Sequence, residues 1–142
     1  MKRTVAILTV SGFLLSVAYA TVGAQAAKSV NDGVYTADQA KAGEALYKEQ
    51  CSACHGDNLE GSGPMPPLAG KDFLANWEGK TLGDLFEKVQ TTMPATAPGT
   101  LTPEQTTNIV SYMLSKDNYP AGAAALESKM EPLLQIKLDA PK

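Results

Sequence analysis

The sequence predicts an all-α domain. Three segments each begin with a helix start signal and continue with apolar residues at spacings of three and four. Long stretches rich in glycine and proline separate them, and no segment alternates apolar and polar residues for long enough to argue for a sheet.

The first helix opens at Thr36, an N-cap with Gln39 three residues on to complete a capping box. Ala40, Gly43, Tyr47, Cys51 and Cys54 then share one face, so the stretch Cys51-Ser52-Ala53-Cys54-His55 is read as ending this helix on its buried side. Residues 56–79 read as an irregular loop, with Pro64, Pro66 and Pro67 among five glycines. The second helix has Thr81 as N-cap and Asp84 in its first turn, where a carboxylate suits the positive end of the helix dipole. Its apolar stripe is Leu82, Leu85, Phe86 and Val89. Residues 91–101 again lack periodicity.

The third helix opens with Thr102-Pro103-Glu104-Gln105, a capping box with proline at the first helical position. Thr106, Ile109, Val110 and Met113 follow one face, with Tyr112 beside it. A turn over 118–122 stops this helix, and a C-terminal extension begins at about 118. Residues 123–129 are expected to form one more short helix, and Leu133, Leu134, Ile136 and Leu138 to dock on the domain surface.

Composition bounds the function. At 142 residues and 44% hydrophobic, the chain makes one domain with a modest core and has no room for a second. The balance of 12 basic and 15 acidic residues, a net of -3, lacks the electrostatic footprint of a nucleic-acid binder. Lys2 and Arg3 precede an uncharged apolar run from Val5 to Ala20, the anatomy of a secretory signal peptide. Of two small-x-small cleavage sites, Ala18-Tyr19-Ala20 and Ala24-Gln25-Ala26, the second is preferred because Lys28-Ser29 follows at once. The expected organisation is therefore a signal peptide over 1–26 and a mature domain over 27–142, acidic at a net charge of about -5 once Lys2 and Arg3 are removed. An uncleaved anchor is the alternative, but the apolar run is shorter than the ~20 residues a spanning helix needs. Export would place the chain in an oxidising compartment, the bacterial periplasm, where two cysteines are normally read as a disulfide.

The five residues from Cys51 to His55 hold both cysteines and the single histidine of the chain. A structural zinc site needs four ligands, and only three soft ones exist. A thioredoxin-like dithiol expects a βαβ context, which is absent. A Cys51–Cys54 disulfide leaves His55 unexplained. Covalent c-type haem attachment uses all three: two thiols add to the two haem vinyl groups from one helical turn, and the adjacent imidazole reaches the iron. A large flat apolar group also explains why short helices are joined by long loops.

Residues 32–37, the CSACHG run, Pro66-Pro67-Leu68-Ala69-Gly70, Trp77 and Thr92-Met93-Pro94 together resemble a single-domain class I c-type cytochrome over about 31–120. The similarity is greatest to small cytochromes that accompany quinone-cofactor alcohol and sugar dehydrogenases. The resemblance implies a small cytochrome c fold around one haem and a second axial ligand from a methionine before a proline. Met113 falls in the apolar pattern of the third helix, Met130 lies in the tail, and Met65 is too close to His55 to round the porphyrin rim, which leaves Met93. The resemblance further implies that the Pro66 carbonyl accepts a hydrogen bond from His55 and that Trp77 lies near a haem propionate; ordinary turn proline and core tryptophan are the alternatives. It also pairs Gly43 and Tyr47 with Ile109 and Tyr112 across the terminal helices.

His/Met ligation fills both axial positions and favours ferrous iron. The expected function is thus a soluble, monomeric periplasmic electron carrier, not an enzyme, passing one electron between redox partners such as a quinoprotein dehydrogenase and an oxidase or another cytochrome. A haem enzyme or gas sensor with an open axial site is the alternative reading, and a non-haem protein with a disulfide the third.

Overall fold

The computed structural model describes residues 28–142, so the expected signal peptide over 1–26 lies outside the described residues. The elements in order are β1 (Lys28–Ser29), a 3₁₀ turn at Val30–Asp32, α1 (Ala37–Gln50), α2 (Ser52–His55), α3 (Lys71–Trp77), α4 (Leu82–Thr92), α5 (Pro103–Lys116), α6 (Met130–Leu133) and β2 (Ile136–Lys137). The three expected helices are α1, α4 and α5, and all three start on the residues that the sequence marks.

The caps are made as the residue types require. Thr36, Thr81 and Thr102 each accept the backbone N–H of the residue three positions on, and Gln39, Asp84 and Gln105 each accept the cap residue's own N–H in return. The end of α5 is equally defined. Asn118 takes a left-handed φ of 63°, its N–H donates to Ser115 O at 3.2 Å, and the N–H of Tyr119 donates to Leu114 O at 3.1 Å. That pair of bonds is a Schellman stop, with asparagine in the position glycine usually fills.

The frame of the fold is α1 packed on α5. A Cβ at Gly43 would fall on the Asn108 carbonyl, so only glycine lets the two backbones approach this closely. Tyr47 then packs against Tyr112 with ring centroids 5.5 Å apart and the ring planes tilted by 50°. Ile109, Val110, Met113 and Leu114 face the same interior, each at most 1% exposed, and Leu82, Leu85 and Phe86 of α4 complete it.

Three expectations are corrected. The segment 56–79 is not wholly irregular, because Phe73 inserts into the core and Lys71–Trp77 winds into a helix around it. Residues 123–129 are not helical; Leu126 is buried there, with its N–H and carbonyl both bonded to the Gln39 side chain, so the backbone is satisfied without a helical ladder. The helix comes later, as α6. There is also a minimal sheet, the parallel pair of β1 with β2 in which Lys28 faces Ile136.

The tail is part of the core. Leu133, Ile136 and Leu138 are buried, whereas Leu134 is 44% exposed. Leu138 exchanges backbone bonds with the turn before α4, donating to Lys80 O at 2.8 Å and accepting from Gly79 at 2.9 Å. Asn31 Nδ2 donates to Ala140 O at 2.9 Å, which ties the two ends of the described chain together.

Candidate functional site

α1 delivers the cysteine-histidine stretch. The helix ends at Gln50 because Cys51 leaves helical geometry, at φ -127° and ψ -34°. Its N–H still donates to Tyr47 O at 2.9 Å, while its own carbonyl accepts from Cys54 at 3.1 Å and His55 at 3.0 Å. A fresh single turn, α2, therefore starts at Cys51 and carries both sulfurs and the imidazole. The sequence reading placed both cysteines on the buried side of one helix; in the structure Cys51 is half-buried and Cys54 exposed, because the axis breaks between them. Gly56, at φ 80° and ψ 159°, ends the turn in a conformation open essentially to glycine alone.

His55 is 6% exposed, and its Nδ1 lies 2.8 Å from the carbonyl oxygen of Pro66. A carbonyl only accepts, so Nδ1 carries the proton and donates, and Nε2 keeps its lone pair. That tautomer presents a ligand nitrogen, and the bond raises its basicity. Pro66 reaches this position through a tight strap. Gly61 N–H donates to His55 O at 2.8 Å, Ser62 and Met65 exchange two backbone bonds around Gly63-Pro64, and Leu68 N–H returns to Leu59 O at 2.8 Å.

Two residues that sequence reasoning did not assign to the site support it. The Tyr47 hydroxyl donates to Gly56 O at 2.6 Å, so the side chain that packs on Tyr112 also holds the residue after the histidine. Gln90 closes the base of the 91–101 loop: its Nε2 donates to Leu101 O and its Oε1 accepts from the Thr106 hydroxyl at 2.8 Å. Neither bond has a local sequence signature, since each joins segments through chain folding.

Met93 caps the end of α4. Its N–H donates to Val89 O at 3.0 Å, its backbone is extended, its side chain is half-buried, and a cis bond joins it to a buried Pro94. Residues 95–100 beyond it are solvent-exposed. The other methionines of the domain are placed differently: Met113 is in the core at 1% exposure, Met130 begins α6, and Met65 is 36% exposed beside Pro66. Trp77 ends α3 with Phe73 at a centroid distance of 6.1 Å and Lys80 Nζ 4.7 Å from its ring. It lines an open groove with Lys80, Asp84, Glu87, Lys88 and Thr91, to which none of Cys51, Cys54, His55 and Met93 contributes.

Electrostatics at the site follow burial. Desolvation, and then the neighbouring Cys54, pushes the Cys51 thiol up to about 11, and burial also raises the Tyr47 phenol. No disulfide joins Cys51 to Cys54. These residues fit a covalently held haem: two sulfurs and a tautomer-fixed imidazole leave one short turn together, and the imidazole's second nitrogen is already bonded.

The fold and this turn define a class I c-type cytochrome, a protein of covalently bound haem c. Residues 38–113 match the family described as cytochrome c oxidase, cbb3-type, subunit III, and the chain belongs to that family. The chain is 45% identical over 75 residues to cytochrome c-551 of Bacillus subtilis (strain 168), a match covering 50% of this chain and 66% of that one. It is 30% identical over 93 residues to the cbb3-type cytochrome c oxidase subunit CcoP of Rubrivivax gelatinosus, over 60% of this chain and 28% of that one. The crystal structure of the sulfane dehydrogenase SoxCD from Paracoccus pantotrophus shares the fold, with a TM-score of 0.52 at 24% identity over 75% of this chain and 60% of that chain. The chain thus spans about two thirds of the first relative and under a third of the second. Among the described residues, no helix is long and apolar enough to cross a membrane.

The relatives support a haem-based electron-transfer role. Haem c supplies a one-electron iron couple when bound. Cys51, Cys54 and His55 are the residues that would hold it, with the Pro66 carbonyl fixing the tautomer of the imidazole.

Proposed function

We propose that this chain is an exported, soluble electron carrier, with residues 1–26 removed on export and 27–142 forming the periplasmic domain. Cys51 and Cys54 carry the thioether bonds, and His55 and Met93 are the two axial ligands. One electron enters from a dehydrogenase or respiratory complex and leaves to an oxidase or another cytochrome. The observation that carries the reading is the 2.8 Å bond from His55 Nδ1 to Pro66 O, which prepares Nε2 as a ligand. Met93 is supported by elimination, since Met113 is committed to the core and Met65 and Met130 belong to other segments. With both axial positions filled, the iron offers no open site for a substrate, which favours transfer over catalysis. The acidic charge expected of the mature domain suits a partner with a basic face.

Intact-mass measurement of the purified protein should show one covalent haem. Redox titration followed by visible spectroscopy should show a six-coordinate His/Met spectrum, and Met93→Ala should lower the potential on the order of 0.1 V, within the ~0.8 V range that axial ligands span. A Met93→Ala protein with unchanged spectra and potential removes Met93 as ligand. Rapid binding of carbon monoxide by the parent protein would favour the open-site reading instead.

A further inference from the structure

Asp117 is a buried carboxylate that electron transfer does not explain. It follows α5 at 5% exposure, its Oδ1 accepts the N–H of Gly70 at 2.5 Å, and its Oδ2 has no partner. Gly70 ends the strap that begins at the His55 turn and includes Pro66. A side chain at the far end of the last long helix therefore grips the segment whose carbonyl orients the imidazole. We propose that Asp117 is a positioning residue for His55: through Gly70 it holds the 66–70 strap, and with it the Pro66 carbonyl, and its protonation state sets how firmly.

The inference rests on the reading of His55 as the iron ligand. An ionised Asp117 makes a charge-assisted bond to Gly70, stronger than the bond its neutral acid makes. A firmer strap strengthens the acceptor for Nδ1–H, makes the imidazole more basic and favours the ferric state. Burial holds the carboxyl above its usual range, and the Gly70 N–H opposes that in part. No cation lies within 4.0 Å to override the switch, because the ion pair among the described residues is Lys48 with Glu44. Lys71 and Asp72 beyond Gly70, and Lys116 before Asp117, are solvent-exposed. Tyr119 is the titratable neighbour, a phenol pushed up to about 12 by burial and by Asp117, Asp139 and Glu78. It stays neutral through the range in which Asp117 titrates.

The test is the reduction potential of the haem-loaded protein against pH, for the parent, Asp117→Asn and Gln39→Ala. Asparagine keeps a carbonyl for Gly70 but cannot ionise, whereas Gln39→Ala breaks the distant Leu126 clamp and serves as a control for lost stability. The parent potential should fall as pH rises through the Asp117 ionisation, Asp117→Asn should be flat there, and Gln39→Ala should follow the parent. Parallel profiles for parent and Asp117→Asn overturn the inference and leave the ligand reading intact. A parent spectrum without imidazole ligation overturns both. Should Asp117→Asn fail to fold, the Gly70 amide resonance of the reduced parent protein decides: it should move downfield as Asp117 ionises, and a resonance indifferent to that ionisation refutes the proposal.

Discussion

At the scale of the residue, the proposed chemistry depends on groups that are buried with one obligation met and one left open. His55 has Nδ1 committed and Nε2 free; Asp117 has Oδ1 committed and Oδ2 without a partner. For Asp117 the consequence extends to stability. Because burial raises its pKa in the folded protein, the folded state keeps a proton over a pH window in which the unfolded chain has lost it. Stability therefore falls as pH rises, from the ordinary aspartate value near 3.9 through the raised value. Denaturant unfolding across that window should show the parent losing stability relative to Asp117→Asn, and a constant difference between the two would contradict the assignment. None of this is visible in the sequence, where Asp117 stands at an unremarkable helix end. Its partner is 47 residues away, and only the fold brings them together. Cys51, Cys54 and His55 are the opposite case: their chemistry depends on spacing along five residues, and spacing is what a sequence displays.

At the scale of the element, the helix starts were legible because capping is local. A threonine with a glutamine or aspartate three residues on satisfies its own N-terminal donors wherever the helix is placed. The helices α3 and α6 were missed for the complementary reason. Both are short and lack a side-chain cap, and they are held by burial of Phe73 and Leu133, which no periodic pattern announces. The contact of α1 with α5 is where an element depends on a single atom. A Cβ at position 43 would meet the Asn108 backbone, which cannot rotate aside, so the helices would have to separate and unpack Tyr47 from Tyr112. Overpacking costs roughly 1–3 kcal/mol and more where the obstacle is backbone. Gly43→Ala should thus lower Tm by about 10 °C or more in a domain of this size. Thermal melts monitored by circular dichroism would show it, and a variant melting with the parent would mean that the helices are not held at this distance.

At the scale of the whole molecule, the domain is a helical frame with a belt. The residues from Tyr119 onward do not form a loose appendage. The Tyr119 hydroxyl donates to Asp139 O at 2.7 Å, Leu138 is locked between Lys80 and Gly79, and the apolar side chains of 133, 136 and 138 are buried. The sequence showed that these leucines and isoleucine were apolar enough to dock but not where, since docking depends on the turn before α4. Leu138→Ala should cost ~2–5 kcal/mol, as truncation of a buried leucine does. The visible spectrum should be unchanged, because Leu138 is bonded to the α3–α4 turn and not to the His55 strap. Denaturant titration read by tryptophan fluorescence, with the spectrum recorded alongside, would separate the two effects. The belt also imposes an order in time. Asn31 reaches Ala140, 109 residues further along, and Lys28 pairs with Ile136. During synthesis the first strand waits for more than a hundred further residues before its partner exists. The CSACH turn, by contrast, is complete as soon as His55 has been added, well before that partner. The segment that receives the cofactor is therefore finished early and the clasp that closes the domain comes last.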